Sequence, residues 1–367
     1  MSPEGDQGPE EAPELRLLFW ESTARCNLHC AHCRRLDADD ASSADELTTD
    51  EARRVIDSAA GLGRPVIVFS GGEPLLRDDW EALAAHARRR GLPAALATNG
   101  TLVDPPLARR IADAGFRRVS VSLDGADAAT HDALRGAPGA FDAAAGGARA
   151  LRAAGAALQI NATLTPQNLP QLNALTDLAE GLGAEALHLF VLVPVGCGLQ
   201  LGDDRRLSPA QVEEALEWVC RMQARGRIEL KATCAPHYYR VARQWLARRE
   251  GAPAGGHPPG QADHVRAAVR GRGCLAGVGV LFVSSAGEVF PCGYLPVSCG
   301  SVRRADLGEI WRSSGVLRRL RDYELLTGKC GCCEYRAVCG GCRARAYAAT
   351  GDYLAEEPMC TYAPGRP

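Results

Sequence analysis

Cys26-Asn27-Leu28-His29-Cys30-Ala31-His32-Cys33 is the run from which the rest of the chain can be read. The cysteines are spaced by three residues and then two, so one tight loop presents three thiolates. A cubane [4Fe–4S] cluster has four irons, and three protein ligands leave one iron open to a small molecule. Zinc takes paired Cys or His at other spacings and closes the shell in structural sites. The run therefore reads as the cradle of an iron–sulfur cluster with one exchangeable position.

Composition bounds what surrounds it. The 367 residues suffice for one large domain with an appendage, or for two domains. A net charge of −2 gives no global field for nucleic acid or an anionic membrane. Positive charge is carried almost wholly by arginine, with Lys231 and Lys329 the two lysines. No stretch reaches the roughly 18 apolar residues of a spanning helix. The acidic, Pro/Gly-rich residues 1–14 read as a disordered tail and not as a signal peptide. Fifteen cysteines without a secretion signal point to metal ligands in a reducing cytoplasm.

From about residue 15 to 250 strand-like runs alternate with amphipathic helices. Leu15–Glu21, Val66–Phe69, Ala94–Thr98, Arg118–Leu123, Leu158–Thr163 and Leu187–Leu192 read as six strands. The apolar positions are near-continuous in several, as in a parallel sheet covered on both faces. Helices are predicted over Thr48–Ala60, opened by a Thr48/Glu51 capping box, and over Asp78–Arg90 and Gly139–Ala154. The pattern predicts an α/β fold, a partial (β/α)6 barrel of TIM type, with its chemistry on loops after the strands. Residues 251–273 read as a linker, most clearly in Gly251–Gly260, and 274–367 as a cysteine-rich extension. That extension opens with a hairpin, Val278–Val283 and Glu288–Pro291, followed by a helix near Asp306–Arg321.

Polar groups gather at the predicted strand ends. Ser70-Gly71-Gly72-Glu73-Pro74 follows the second strand. Its glycines would let backbone approach a ligand closely, and Glu73 offers a carboxylate to an ammonium group. Thr98-Asn99-Gly100 ends the third strand. Strand alternation puts Ser120, Ser122 and Asp124 on one face of the fourth, and Asn161 and Thr163 on one face of the fifth.

The cysteine run, in the context Glu21-Ser22-Thr23-Ala24-Arg25-Cys26, and the Gly71-Gly72-Glu73-Pro74 turn resemble the radical S-adenosylmethionine (SAM) superfamily. The resemblance implies that Cys26, Cys30 and Cys33 hold a [4Fe–4S] cluster whose open iron binds SAM. It implies that one electron cleaves SAM to methionine and a 5′-deoxyadenosyl radical. Gly71, Gly72, Glu73 and Pro74 would meet the SAM amino group, and Ser122 and Asp124 its ribose or carboxylate. Asn99 and Asn161 would add polar contacts. His32 stands where the family usually has an aromatic residue near the adenine.

The tail, with Cys274, Gly287-x4-Cys292, Cys330-x2-Cys333-x5-Cys339-x2-Cys342 and Cys360, is similar to the SPASM extension, which holds one or two auxiliary [4Fe–4S] clusters. The last pair is two residues apart where the common pattern has three. The resemblance assigns Cys330, Cys333, Cys339 and Cys360 to an outer cluster, and Cys274, Cys292 and Cys342 to an inner one. The inner cluster lacks a fourth ligand unless Cys299, another residue or substrate supplies it. A zinc ribbon of Cys330/Cys333 with Cys339/Cys342 is the competing reading. Cys197, Cys220 and Cys332 read by default as buried, inert thiols.

The resemblance extends from about Leu15 to Pro364 and is nearest to the tetrapyrrole-modifying branch, with the heme b synthases of the siroheme-dependent pathway. It is carried by Lys231-Ala232-Thr233-Cys234-Ala235-Pro236-His237-Tyr238-Tyr239-Arg240, Gly273–Gly277, Pro291–Leu295 and Cys339–Ala346. It implies oxidative decarboxylation of two propionates of iron-coproporphyrin III to vinyls, with a flavodoxin- or ferredoxin-type electron donor. His237 would be a ligand to substrate iron, and Tyr238 and Arg240 substrate contacts, with Arg240 pairing a propionate. Alternatively, Pro236 starts a helix and the aromatics only pack. Heme d1 or didecarboxysiroheme processing, a peptide-modifying maturase and a non-catalytic electron carrier are the competing functions. The carrier has no use for a SAM-amino site at Gly71–Pro74.

Overall fold

The computed structural model describes residues 12–35, 45–250 and 261–365. The predicted tail, apart from residues 12–14, and the Gly251–Gly260 part of the predicted linker lie outside the described residues. The six predicted strands form as β1 (Leu17–Thr23), β2 (Val66–Gly71), β3 (Ala94–Thr98), β4 (Arg118–Ser122), β5 (Leu158–Leu164) and β6 (Ala186–Val191). All pair in parallel and in chain order. A seventh, β7 (Glu229–Thr233), joins β6 in parallel. Its Glu-Leu-Lys-Ala-Thr sequence lacks the apolar run of the others because it closes one edge of the sheet, where Glu229 and Lys231 stay exposed.

The helices between them are α1 (Thr49–Ala60), α2 (Trp80–Arg89), α3 (Pro105–Asp113), α4 (Ala128–Arg135), α5 (Ala140–Ala153), α6 (Leu172–Gly181) and α7 (Pro209–Arg225). The Thr48/Glu51 capping box forms at the start of α1. Beyond β7 come α8 (Tyr238–Glu250) and α9 (Gln261–Ala268).

The cysteine-rich part does not stand apart from the barrel sheet. Its first strand, β8 (Val280–Val283), pairs in parallel with β1, from Leu17 opposite Val280 to Trp20 opposite Val283. β9 (Glu288–Phe290) completes the predicted hairpin and β10 (Gly300–Ser301) follows. The result is one open sheet in the order β10-β9-β8-β1-β2-β3-β4-β5-β6-β7. The single helix predicted near Asp306–Arg321 is two, α10 (Leu307–Ser313) and α11 (Gly315–Arg321), broken at Ser314. Then come α12 (Gly328–Gly331) and α13 (Arg343–Thr350).

The core lies between sheet and helices. Trp20, Ile67, Phe69 and Leu96 pack under Val55, Ile56 and Leu83. The Trp20 and Phe69 rings meet edge-on at 5.4 Å. Each such side chain contributes about 1.5–3 kcal/mol relative to exposure. Alternation leaves Gln159, Asn161 and Thr163 of β5 and His188 of β6 on the other face, where polar groups meet one another.

Candidate active site

The cysteine loop leaves β1 and is clamped by the turn after β2. The Gly72 amide donates to the Thr23 carbonyl at 2.9 Å and the Glu73 amide to that of Arg25 at 2.7 Å. A Cβ on Gly71 would overlap the Thr23 carbonyl oxygen, and one on Gly72 that of Arg25. The close approach expected toward a ligand is thus made to the chain's own cysteine loop. Asn99 ties the end of β3 to the same loop, its side-chain amide donating to Asn27 Oδ1 at 2.8 Å. Pro74 opens a short 3-10 turn capped by Glu73. Substituting Gly72→Ala will push this turn off residues 23–25. The expected result is loss of iron from the first loop, with the tail's iron retained, read by iron and sulfide analysis.

Glu73 is fully buried. Its Oε1 accepts from Thr98 Oγ1 (2.8 Å) and the Leu75 amide (3.2 Å), and its Oε2 from the Asn99 amide (2.8 Å). It forms no ion pair among the described residues. Burial outweighs the three hydrogen bonds and pushes its carboxyl up to about 7. A buried carboxylate of this kind lacks a cation.

Asp124 is engaged by partners within the chain. Its carboxylate is taken by Arg135, at the end of α4, with Nη2 2.6 Å from Oδ2, while Oδ1 accepts the Thr163 amide at 2.7 Å. Arg135 in turn donates to Cys30 Sγ at 3.7 Å. Asp124 therefore holds a guanidinium against a cluster thiol, and Arg135 is a residue the motifs did not reveal. His32 is half-buried, its Nε2 3.6 Å from Asp124 Oδ2, and desolvation pulls it down to about 4. Ser122 lies half-buried at the end of β4, and Asn161 accepts from Gln159 at 2.7 Å.

In the tail, Cys330, Cys333, Cys339 and Cys360 line one cavity. Each thiol receives a donor: the Glu357 amide on Cys330 (3.3 Å), the Tyr335 amide on Cys333 (3.4 Å), the Gly341 amide on Cys339 (3.4 Å) and Arg240 on Cys360 (3.7 Å). N–H donors to sulfur suit thiolates that hold a cluster and tune its potential. Cys342 is not among them; it lies with Cys274 and Cys292. That division overturns the zinc-ribbon pairing, which needs Cys342 beside Cys339. Cys234 sits with the inner three.

A buried ion pair joins the two groups. Arg345 Nη1 lies 3.0 Å from Glu357 Oε2, and Glu357 accepts the Cys342 amide at 2.7 Å. Burial raises the thiols of Cys330, Cys333 and Cys339 in the outer group, and in the inner group Cys292 up to about 12 and Cys342 up to about 11, so metal loading must release protons. Among the described residues no three His, Cys, Asp or Glu side chains are gathered tightly enough for a single metal ion. Four thiols lining one cavity, each with an N–H donor, are a donor set that suits a cluster. Of the remaining thiols Cys220 is buried, whereas Cys332 is exposed, contrary to the default.

His237, Tyr238 and Arg240 are all buried. Arg240 is committed to Glu213 through two bonds of 2.7 and 2.6 Å. Tyr238 is buried and donates to Gln223. His237 is fully buried and lines the outer cysteine cavity. The segment starts α8, as the alternative reading had it. Tyr294, half-buried, packs with Cys234 and Cys292 against the inner group's small apolar cluster.

A parallel α/β sheet with three thiols on the loop after β1 and two further thiol groups defines a radical enzyme with auxiliary clusters. Residues 20–179 match the radical SAM superfamily and residues 274–342 the SPASM iron–sulfur cluster-binding domain. The chain belongs to the radical SAM superfamily, and it is an enzyme with a SAM-binding [4Fe–4S] cluster and auxiliary iron–sulfur clusters. It is 49% identical to the AdoMet-dependent heme synthase of Methanosarcina barkeri, over 96% of this chain and 97% of that one. It is 36% identical to the pre-heme d1 synthase of Dinoroseobacter shibae, over 94% and 85%. In fold it resembles Streptococcus suis SuiB bound to its precursor peptide SuiA, with a TM-score of 0.73 at 17% identity, over 95% and 76% of the two chains. No helix among the described residues is long and apolar enough to cross a membrane.

Proposed function

We propose that this enzyme acts in heme synthesis, converting two propionates of iron-coproporphyrin III to the vinyl groups of heme b. The observation that carries the reading is the end-to-end similarity to the Methanosarcina barkeri heme synthase, at 49% identity against 36% for the pre-heme d1 synthase. Cys26, Cys30 and Cys33 would hold the first cluster, which with SAM bound would supply a 5′-deoxyadenosyl radical able to take a hydrogen atom from a propionate β-carbon. The substrate radical then loses CO₂, forming the vinyl double bond and releasing one electron. No base or nucleophile of the chain is needed; the cysteine-rich tail holds the electron's acceptor.

The chain's own residues bind and orient. Glu73, which has no ion-pair partner among the described residues, would receive the SAM ammonium. Arg135, held by Asp124, keeps a positive charge on Cys30. Arg34 stacks 4.4 Å from the Phe282 ring centroid and pairs with Glu21 Oε1 at 3.2 Å, tying the first loop to β1 and β8. A flavodoxin- or ferredoxin-type protein in the cytoplasm would reduce the first cluster.

Two tests follow. Iron-coproporphyrin III should accelerate 5′-deoxyadenosine formation in step with its own consumption; a rate indifferent to the porphyrin removes the reading. Binding of S-adenosylhomocysteine, which keeps the amino-acid group and is not cleaved, should strengthen as pH rises. Only ionised Glu73 attracts the ammonium, so below its value of about 7 affinity falls by up to about tenfold per pH unit. Glu73→Gln should flatten that profile in calorimetric titration.

A further inference from the structure

The inner group has three thiols by the family pattern and needs a fourth ligand. Cys299, the residue first considered, is elsewhere: its thiol contacts the Val297 carbonyl at 3.8 Å and faces Ser314 and Arg321. It packs against the main core. Cys234, reached directly from the end of β7, is different. It packs with Cys292 and Tyr294 against a small buried cluster of Val193, Leu295, Leu320, Cys342 and Ala344. It shares the electrostatic neighbourhood of Cys342, Cys292 and Cys274.

The backbone holds it there under strain. Cys234 has φ +55°, the single positive value among the described non-glycine residues. A side chain in that region crowds its own carbonyl and persists where the surroundings over-determine it, as functional sites do. Arg345 supplies the restraint. Its Nη2 donates to the Cys234 carbonyl at 2.7 Å and to that of Val191 at 3.3 Å, and it lies three residues beyond Cys342 on α13. One guanidinium thus fixes Cys234 relative to the helix that begins at Cys342.

We propose that Cys234 is the fourth thiolate of the inner cluster, completing Cys274, Cys292 and Cys342, so that no iron of that cluster is open to substrate. The first loop, with three thiolates, keeps an exchangeable iron; the inner cluster is closed and exchanges electrons with substrate without bonding to it. The assignment concerns the SPASM cluster alone and stands whatever the substrate is.

The test uses the full chain with Cys26, Cys30 and Cys33 replaced by Ala, so that the tail's clusters alone are read. In that chain, iron and sulfide should match two clusters, and added imidazole should leave the reduced-state electron paramagnetic resonance spectrum unchanged. Cys234→Gly removes the thiol while relieving the positive φ, so the metal-free protein should melt no lower than its parent. On reconstitution it should lose the inner cluster's iron, or keep a cluster whose spectrum now shifts with imidazole. Cys234→Ser, which offers oxygen in place of sulfur, should retain more iron than Cys234→Gly, with an altered spectrum. Cys299→Ala should match the parent in both iron and spectrum. Iron for only one cluster in the parent, an imidazole-sensitive parent, or a Cys234→Gly chain with the parent's iron and an unresponsive spectrum would each overturn the assignment.

Discussion

Replacing Cys26, Cys30 and Cys33 together by Ala will abolish SAM cleavage and leave the iron of the tail in place. The two metal regions are built on separate scaffolds. The first loop is fixed by amides of the Gly72–Glu73 turn, by Asn99 on Asn27 and by Arg135 on Cys30. The tail thiols are fixed by Glu357, Arg343, Arg345 and Arg240. Removing three thiols from the loop takes away every protein ligand of the open cluster and no bond that holds the tail. Iron should fall by about one cubane's four atoms per chain, and 5′-deoxyadenosine should fall to the level of an enzyme-free control. Loss of all iron together would contradict two independently built regions.

Arg345→Met should be the most damaging single change outside the cysteines. Arg345 is 2% exposed and Glu357 1%. The guanidinium satisfies Glu357, the Val191 and Leu192 carbonyls after β6 and the Cys234 carbonyl. Removing it leaves Glu357 as an uncompensated buried charge, at a cost of about 3–5 kcal/mol. Glu357 also donates its amide to Cys330 and accepts that of Cys342, so both tail groups should load poorly while the first loop keeps its iron. Thermal unfolding of the metal-free chain, paired with iron analysis, reads both effects. Arg345→Met with Glu357→Gln should recover part of the lost stability, because no unpaired charge then remains.

Much of this was legible in the sequence, for physical reasons. A parallel strand is apolar at least on the face packed under the helices, which made β1 to β6 legible; β7, at the sheet edge, is free to carry Glu229 and Lys231 and so hid. Cluster cysteines are legible because their spacing in a loop is their function. The partners that orient them are not. Arg135 meets Asp124 and Cys30 only because α4 ends beside the first loop, and no spacing announces that. Arg345 and Glu357 become a pair only when α13 folds back on the residues before Cys360. Which partners the chemically rich side chains of residues 237–240 meet was equally illegible: Tyr238 finds Gln223 and Arg240 finds Glu213 only when α8 packs on α7, while His237 lines the outer cysteine cavity. Cys234, in the same segment, carried the signal that composition alone could not separate from its neighbours.

The most direct measurement of the central claim is anaerobic: reconstituted enzyme, SAM, a strong reductant and iron-coproporphyrin III, with the porphyrin products read by mass spectrometry. The account predicts stepwise loss of two formic-acid equivalents, each a CO₂ and two hydrogens, through a singly decarboxylated species to heme b. 5′-Deoxyadenosine formed while the porphyrin's mass stays unchanged would contradict it.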